Sequence, residues 1–334
     1  LTRAFGPDVI IKIFAPTPTD THGHHTASAV LAVEAFKLAG DPRAFPEQLG
    51  ELTPWQPKRI LHNRGGPPGA AARVPDGPGV VRLDVGGTDP VLGESFASIA
   101  ARSRGMHKTQ GFGMEGMEGA QAPTGGARLE GFLPLGGEPA AQDLFDGVDT
   151  TWGRVAGGAE IGRLTGEAIA RFDPSAPEAS VPALLAIRER LARVPADPLV
   201  NDKRGQLDRI LQACLGLEVE TVADRSEVVP GETVKLRHTA SVARASLPVR
   251  WVGMRDPATH RLFGKALDLR QGRPVVRDAS QTLARGTAPS QPYWLRHEGT
   301  PGLFQVDDAS LIGRPENPPA LPLEYVFEVG AQTL

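Results

Sequence analysis

The first part of the chain alternates between short apolar runs and a longer segment with helical character. Residues 9–14 are apolar and mostly β-branched, which is typical of a buried strand. After a polar loop, residues 26–39 form a predicted helix that ends at Gly40-Asp41-Pro42. Because this helix is apolar nearly all round, we expect it to be largely buried against a sheet. The same patterns predict strands at 58–63, 80–85 and 128–135 and a helix at 95–110.

The pattern changes from about residue 153. Apolar residues recur at every third or fourth position in segments 159–172, 181–194 and 199–215, which predicts three helices. Beyond Gly216, short alternating segments separated by turn signals are typical of a β-sandwich. We therefore predict three parts: an α/β region at 1–152, a helical connector at 153–216 and a β-sandwich-like domain at 217–334.

Aromatic residues of the β-rich part have two interpretations. Trp251, Tyr293 and Trp294 have the flat apolar faces that bind sugars, but aromatic side chains in short strands more often pack in a core. We expect core packing for these three residues.

Composition narrows the functional classes. The 334 residues carry a formal net charge of -3, which gives no reason to expect nucleic acid or an anionic membrane as a partner. No run of 18 apolar residues occurs, so no membrane-spanning helix is predicted. The single cysteine, Cys214, excludes an internal disulfide framework.

Three of the eight histidines lie within four positions of the loop that follows the first predicted strand. This loop is at the carboxyl end of a strand, where open α/β sheets bind ligands. If a helix begins near His22 with Asp20 or Thr21 as its cap, His22 and His25 are neighbours on one helix face. Two such imidazoles supply part of a catalytic zinc site and cannot complete it. His24 cannot face the same site as His25, and His62, within a predicted strand, is expected to be a strand residue rather than a ligand.

Residues 20–28, DTHGHHTAS, resemble the His-x-x-His segment of the PIG-L/LmbE family of zinc-dependent N-acetyl sugar deacetylases. Residues 99–113, IAARSRGMHKTQGFG, resemble the helix that closes the catalytic domain of the larger bacterial members. The resemblance covers residues 1 to about 140 and implies a truncated Rossmann-like, LmbE-type sheet. It also implies that His25 is a Zn²⁺ ligand and that His22 polarises the carbonyl or protonates the leaving amine.

Two further residues are candidates around this pair. Asp20 is placed to orient His25 through its other ring nitrogen, as carboxylates often do beside metal ligands. His107 lies either at the substrate rim, as the resemblance of its helix implies, or beside the solvated basic face formed by Arg102, Arg104 and Lys108.

The sequence also departs from the family. Members open with a strand that ends in His-Pro-Asp-Asp-Glu, which supplies two zinc ligands and the carboxylate base, and this chain contains no such motif. We therefore expect a fragment that lacks most of its metal site and is inactive by itself. The function implied for the intact protein is zinc-dependent removal of an acetyl group from an N-acetylglucosamine-type amide of a small molecule or glycan. The alternative is a non-catalytic carbohydrate-binding or scaffolding protein, with the β-rich part as its binding region.

Overall fold

A computed structural model describes residues 1–17, 22–50, 52–64, 77–110 and 127–334. The chain is a mixed α/β protein and forms two compact units, Thr2–Thr150 and Thr151–Leu334, the second of which also includes Leu1.

The N-terminal unit contains a four-stranded mixed sheet. Its strands are β1 (Val9–Lys12), β2 (Arg59–Asn63), β3 (Val81–Asp84) and β4 (Leu129–Gly137), in the order β1-β2-β4-β3. β1 and β2 are parallel, whereas β4 is antiparallel to both β2 and β3. The four strands predicted from the sequence are therefore confirmed. β1 lies at an edge of this sheet, and Ile11 and Ile13 are exposed, so the expectation of a fully buried first strand is wrong.

The helices of this unit are α1 (Thr2–Phe5), α2 (Gly23–Leu38) and α3 (Phe96–Gly105). α2 packs through Phe36 over Gly136 and beside Ile60. Within α2 only Ala29 and Phe36 are buried, and Leu31 is 61% exposed. The expectation of a largely buried helix is therefore wrong, because the sheet covers one side of α2 while its apolar residues are distributed all round.

Cationic side chains also hold this unit together. Its apolar cluster consists of the buried side chains Leu61, Val81, Phe132, Ala140 and Leu144. The buried guanidinium of Arg59 donates to the carbonyls of Glu138, Pro139, Leu144 and Asp146 and so fixes the segment after β4.

Arg3 has the same function at the end of α2. Its buried guanidinium donates to the carbonyls of Leu38 and Ala39 at the end of α2, and to those of Asp41, Ala44 and Phe45 beyond it. A cation at a helix C-terminus also interacts favourably with the helix dipole.

The C-terminal unit contains three helices followed by two sheets. The elements are α4 (Ala159–Ala170), α5 (Val181–Ala192), α6 (Pro198–Leu215), β5 (Leu217–Ala223), β6 (Thr233–Val242), β7 (Val249–Arg255), β8 (Leu262–Phe263), β9 (Leu267–Leu269), β10 (Val275–Thr282), β11 (Glu324–Val329) and β12 (Gln332–Thr333). One sheet has the order β10-β6-β5, and the other has the order β12-β11-β7-β8 with β9 paired to β7.

These helices and sheets share one apolar core. Leu191 of α5, Leu211 of α6 and Trp251 of β7 are all buried in the same cluster. The helices that the sequence suggested as a connector thus pack together with the strands that follow them. Trp251 is fully buried and Tyr293 is buried, so core packing is confirmed for both, and Trp294 is half-buried. Among the described helices, none has both the length and the apolar character that crossing a bilayer requires.

Candidate functional site

The candidate site lies where the two parallel strands end. The ladder between β1 and β2 ends with the pair Lys12 and His62, and the next helix, α2, begins at Gly23. His22 itself is the N-cap residue, with extended backbone (φ -65°, ψ 145°) and no side-chain capping bond. The helix therefore begins near His22, as predicted, but the expectation that Asp20 or Thr21 caps it is wrong, because His22 is the N-cap residue. Asp20 and Thr21 lie outside the described ranges.

Three aromatic rings form a stack at this point. The His25 ring lies 3.8 Å from the Phe14 ring, centroid to centroid, with an angle of 16° between the planes. The His22 ring lies 5.3 Å from the His25 ring, again at 16°. His22 is exposed and His25 is half-buried. The structure thus brings the two predicted histidines side by side, with Phe14 as the support of the inner ring.

Two polar side chains bind the backbone carbonyls that follow β1. Lys12 is only 6% exposed, and its Nζ donates to the Phe14 carbonyl at 2.9 Å. His62 Nε2 donates to the Ile13 carbonyl at 3.0 Å, which fixes the ring as the tautomer with hydrogen on Nε2 when it is neutral.

Burial lowers the pKa of both groups below their ordinary values. For His62, the charges of Lys12 and Arg64 lower the pKa further, and the bond to Ile13 acts in the opposite direction. His62 is the strand residue that the sequence predicted, since it lies in β2. Sequence reasoning did not assign a function to Lys12, although a lysine within an otherwise apolar strand is a visible signal.

Of the other two candidates, Asp20 lies outside the described ranges, and His107 lies on a different element from the stack. His107 is exposed in the turn after α3, where its Nδ1 donates to the Arg104 carbonyl at 3.2 Å. Arg102, on the basic face of α3, forms an ion pair with Glu94. Two cavities of about 720 and 580 Å³ lie elsewhere: one is on the β10-β6-β5 sheet, and the other is beside Arg59. Of the two stacked histidines, His22 is exposed and His25 is half-buried.

The stack constrains how zinc could bind. A metal ion lies close to the plane of each imidazole that binds it, because the nitrogen lone pair lies in that plane. The rings of His22 and His25 are 5.3 Å apart, centroid to centroid, and their planes differ by 16°. Among the described residues, none forms a hydrogen bond with the ring nitrogens of His25. The same residues contain no group of three His, Cys, Asp or Glu side chains that could hold a metal. His22 and His25 thus offer at most two of the three protein ligands of a catalytic zinc site.

Comparisons with known proteins found no match for this chain. No family model matches the chain, no curated protein matches it, and no solved structure matches it. The argument for function consequently depends on the sequence motif and on the geometry of the stack.

Proposed function

We propose that the intact protein is a zinc-dependent hydrolase that removes the acetyl group from an N-acetylglucosamine-type sugar amide. The observation that carries this proposal is the pairing of His22 and His25 at the carboxyl end of the parallel strands β1 and β2. The resemblance of residues 20–28 and 99–113 to PIG-L/LmbE deacetylases supports it. The same resemblance supports the finer proposal that the N-terminal sheet is a truncated Rossmann-like sheet.

The two histidines have different roles in this proposal. His25, held against Phe14, would be one zinc donor, and Asp20 would orient its ring. When bound, zinc would polarise the acetamide carbonyl and lower the pKa of its water towards about 7. His22 is more exposed and its ring is not held on its outer side by a described residue. In this proposal it would approach a substrate from solvent and either donate to the carbonyl oxygen or protonate the leaving amine.

The division of roles follows the different surroundings of the two rings. His25 is half-buried against Phe14, whereas His22 is exposed. His107 remains a candidate for the substrate rim, where an exposed imidazole on the turn after α3 would contact the sugar.

The alternative of a non-catalytic carbohydrate-binding protein has less support. The proposed sandwich-like arrangement of the two C-terminal sheets would need exposed aromatic faces to stack on sugar rings. Trp251 and Tyr293 are buried, so neither offers such a face.

Acetate release from N-acetylglucosamine oligomers by the full-length protein tests the proposal. We expect His22→Ala to lower turnover by about 10²–10⁴-fold, the usual contribution of a positioned acid or base. His25→Ala should abolish turnover, and His24→Ala, a neighbouring exposed histidine, should retain it. Equal turnover in the His24 and His25 variants, or no acetate release by the unaltered protein, would overturn the proposal.

A further inference from the structure

The end of β1 is held by side chains where the strand ladder stops. Pairing with β2 ends at Lys12, and Ile13 and Phe14 continue beyond it. Backbone carbonyls outside a ladder need other donors. Lys12 Nζ donates to the carbonyl oxygen of Phe14 at 2.9 Å, and His62 Nε2 donates to the carbonyl oxygen of Ile13 at 3.0 Å. Since Lys12 and His62 are paired across the two strands, they act from the same face of the sheet.

A charged lysine is energetically unfavourable at this buried position of the strand. Only 6% of the residue is exposed, and burying a charge is unfavourable unless it is paired. Among the described residues, no carboxylate forms an ion pair with it. Methionine would fill a strand position of this length without that penalty. The hydrogen bond to the Phe14 carbonyl is the contact that methionine would lack.

Lys12 binds Phe14, the residue whose ring supports the histidine stack. Its bond fixes the carbonyl of Phe14, and the ring of Phe14 lies 3.8 Å from that of His25. We propose that Lys12 is a positioning residue for His25: it anchors Phe14, and Phe14 sets the plane of the imidazole. This inference deepens the proposed function, because His25 is the candidate zinc ligand of that site, and its test needs neither zinc nor substrate.

Nuclear magnetic resonance of the metal-free protein measures the contact directly. A stacked phenyl ring shifts the resonance of the His25 Cε1 proton, and Phe14→Ala gives the position of that resonance without the stack. We expect Lys12→Met to move the resonance most of the way to the Phe14→Ala position. Lys12→Gln keeps a donor near the Phe14 carbonyl and should remain close to the unaltered protein. Lys37→Met, at the exposed end of α2, is the matched control and should leave the resonance unchanged.

The outcomes separate the two proposals. A His25 resonance that Lys12→Met leaves in place would overturn the positioning function, whatever the activity of the full-length protein. Lys12→Met should also fold with a melting temperature close to that of the unaltered protein, because removal of a buried charge and loss of the bond to the Phe14 carbonyl act in opposite directions. Failure of this variant to fold would contradict the argument that Lys12 is unfavourable for the sheet. If the His25 resonance moves in Lys12→Gln as far as in Lys12→Met, the hydrogen bond to Phe14 is not what positions the His25 ring.

Discussion

The two units are stabilised in different ways. The C-terminal unit buries apolar side chains from α5, α6 and both sheets in one large cluster. Among the described residues of the N-terminal unit, five apolar side chains form a buried cluster, and the buried guanidinium groups of Arg3 and Arg59 donate to backbone carbonyls. This unit also carries the histidine stack. The difference indicates that the N-terminal unit uses buried arginines to fix the segments after α2 and β4, whereas the C-terminal unit is a packed scaffold.

The sharpest test of apolar packing in the C-terminal unit is Leu211→Ala on α6. Leu211 is fully buried, so we expect the free energy of unfolding to fall by about 2–5 kcal/mol. Ile210→Ala, next to it and 48% exposed, is the control and should cost less than about 1 kcal/mol. Denaturant unfolding measures both, and similar losses in the two variants would contradict the assigned core.

For the N-terminal unit, the corresponding test is Arg59→Met. The variant leaves buried carbonyls of the segment after β4 without a donor, so we expect a loss of about 2–4 kcal/mol. Arg102→Met, on the exposed face of α3, should change the free energy of unfolding by no more than about 0.5 kcal/mol. Hydrogen exchange should show that the Arg59 effect is confined to residues 2–150. Faster exchange throughout the chain would show that the units are not independent in stability.

A buried histidine gives the C-terminal unit a pH dependence. His238 on β6 is fully buried and hydrogen-bonded to the Thr221 hydroxyl at 2.8 Å. Burial lowers its pKa below 6.5, the charge of Arg277 lowers it further, and Asp278 opposes the shift. The unfolded chain thus binds a proton more readily than the folded chain, so this contribution to stability is complete above about pH 6.5 and falls as the pH decreases below it.

Unfolding measured between about pH 7 and pH 5 should show this decrease. His238→Gln removes the titrating group, and the part of the decrease due to it should disappear. Identical pH profiles for the two proteins would contradict the assignment to His238.

The smallest effect is expected at the exposed side of α2. Leu31 is 61% exposed, so Leu31→Gln should change the free energy of unfolding by no more than about 0.5 kcal/mol. Phe36→Ala, on the buried side of the same helix, serves as the contrast and should cost about 3–5 kcal/mol. A large loss from Leu31→Gln would show that a further surface covers α2.

Periodicity predicted most elements, because each depends on local sequence. β2, β3 and β4 and the three helices of the C-terminal unit lie close to their predicted positions. Burial was harder to predict: the apolar composition of α2 does not indicate which side the sheet covers. The edge position of β1 depends on pairing with residues about 50 positions away, which the sequence pattern does not encode.

The candidate site was predictable only in part. Clustering of histidines after a strand predicted the pair His22 and His25, and their rings do lie together. Phe14 and Lys12 contribute through a ring stack and a bond to a carbonyl beyond the strand, which are tertiary features. Helix capping by Asp20 or Thr21 followed from residue preference, whereas the backbone of His22 already has the extended conformation of an N-cap.

Metal analysis of the full-length protein tests the central claim most directly. The account predicts about one zinc ion per chain in the His24→Ala variant and a loss of that zinc in His25→Ala. Zinc content that is the same in both variants would contradict a ligand role for His25.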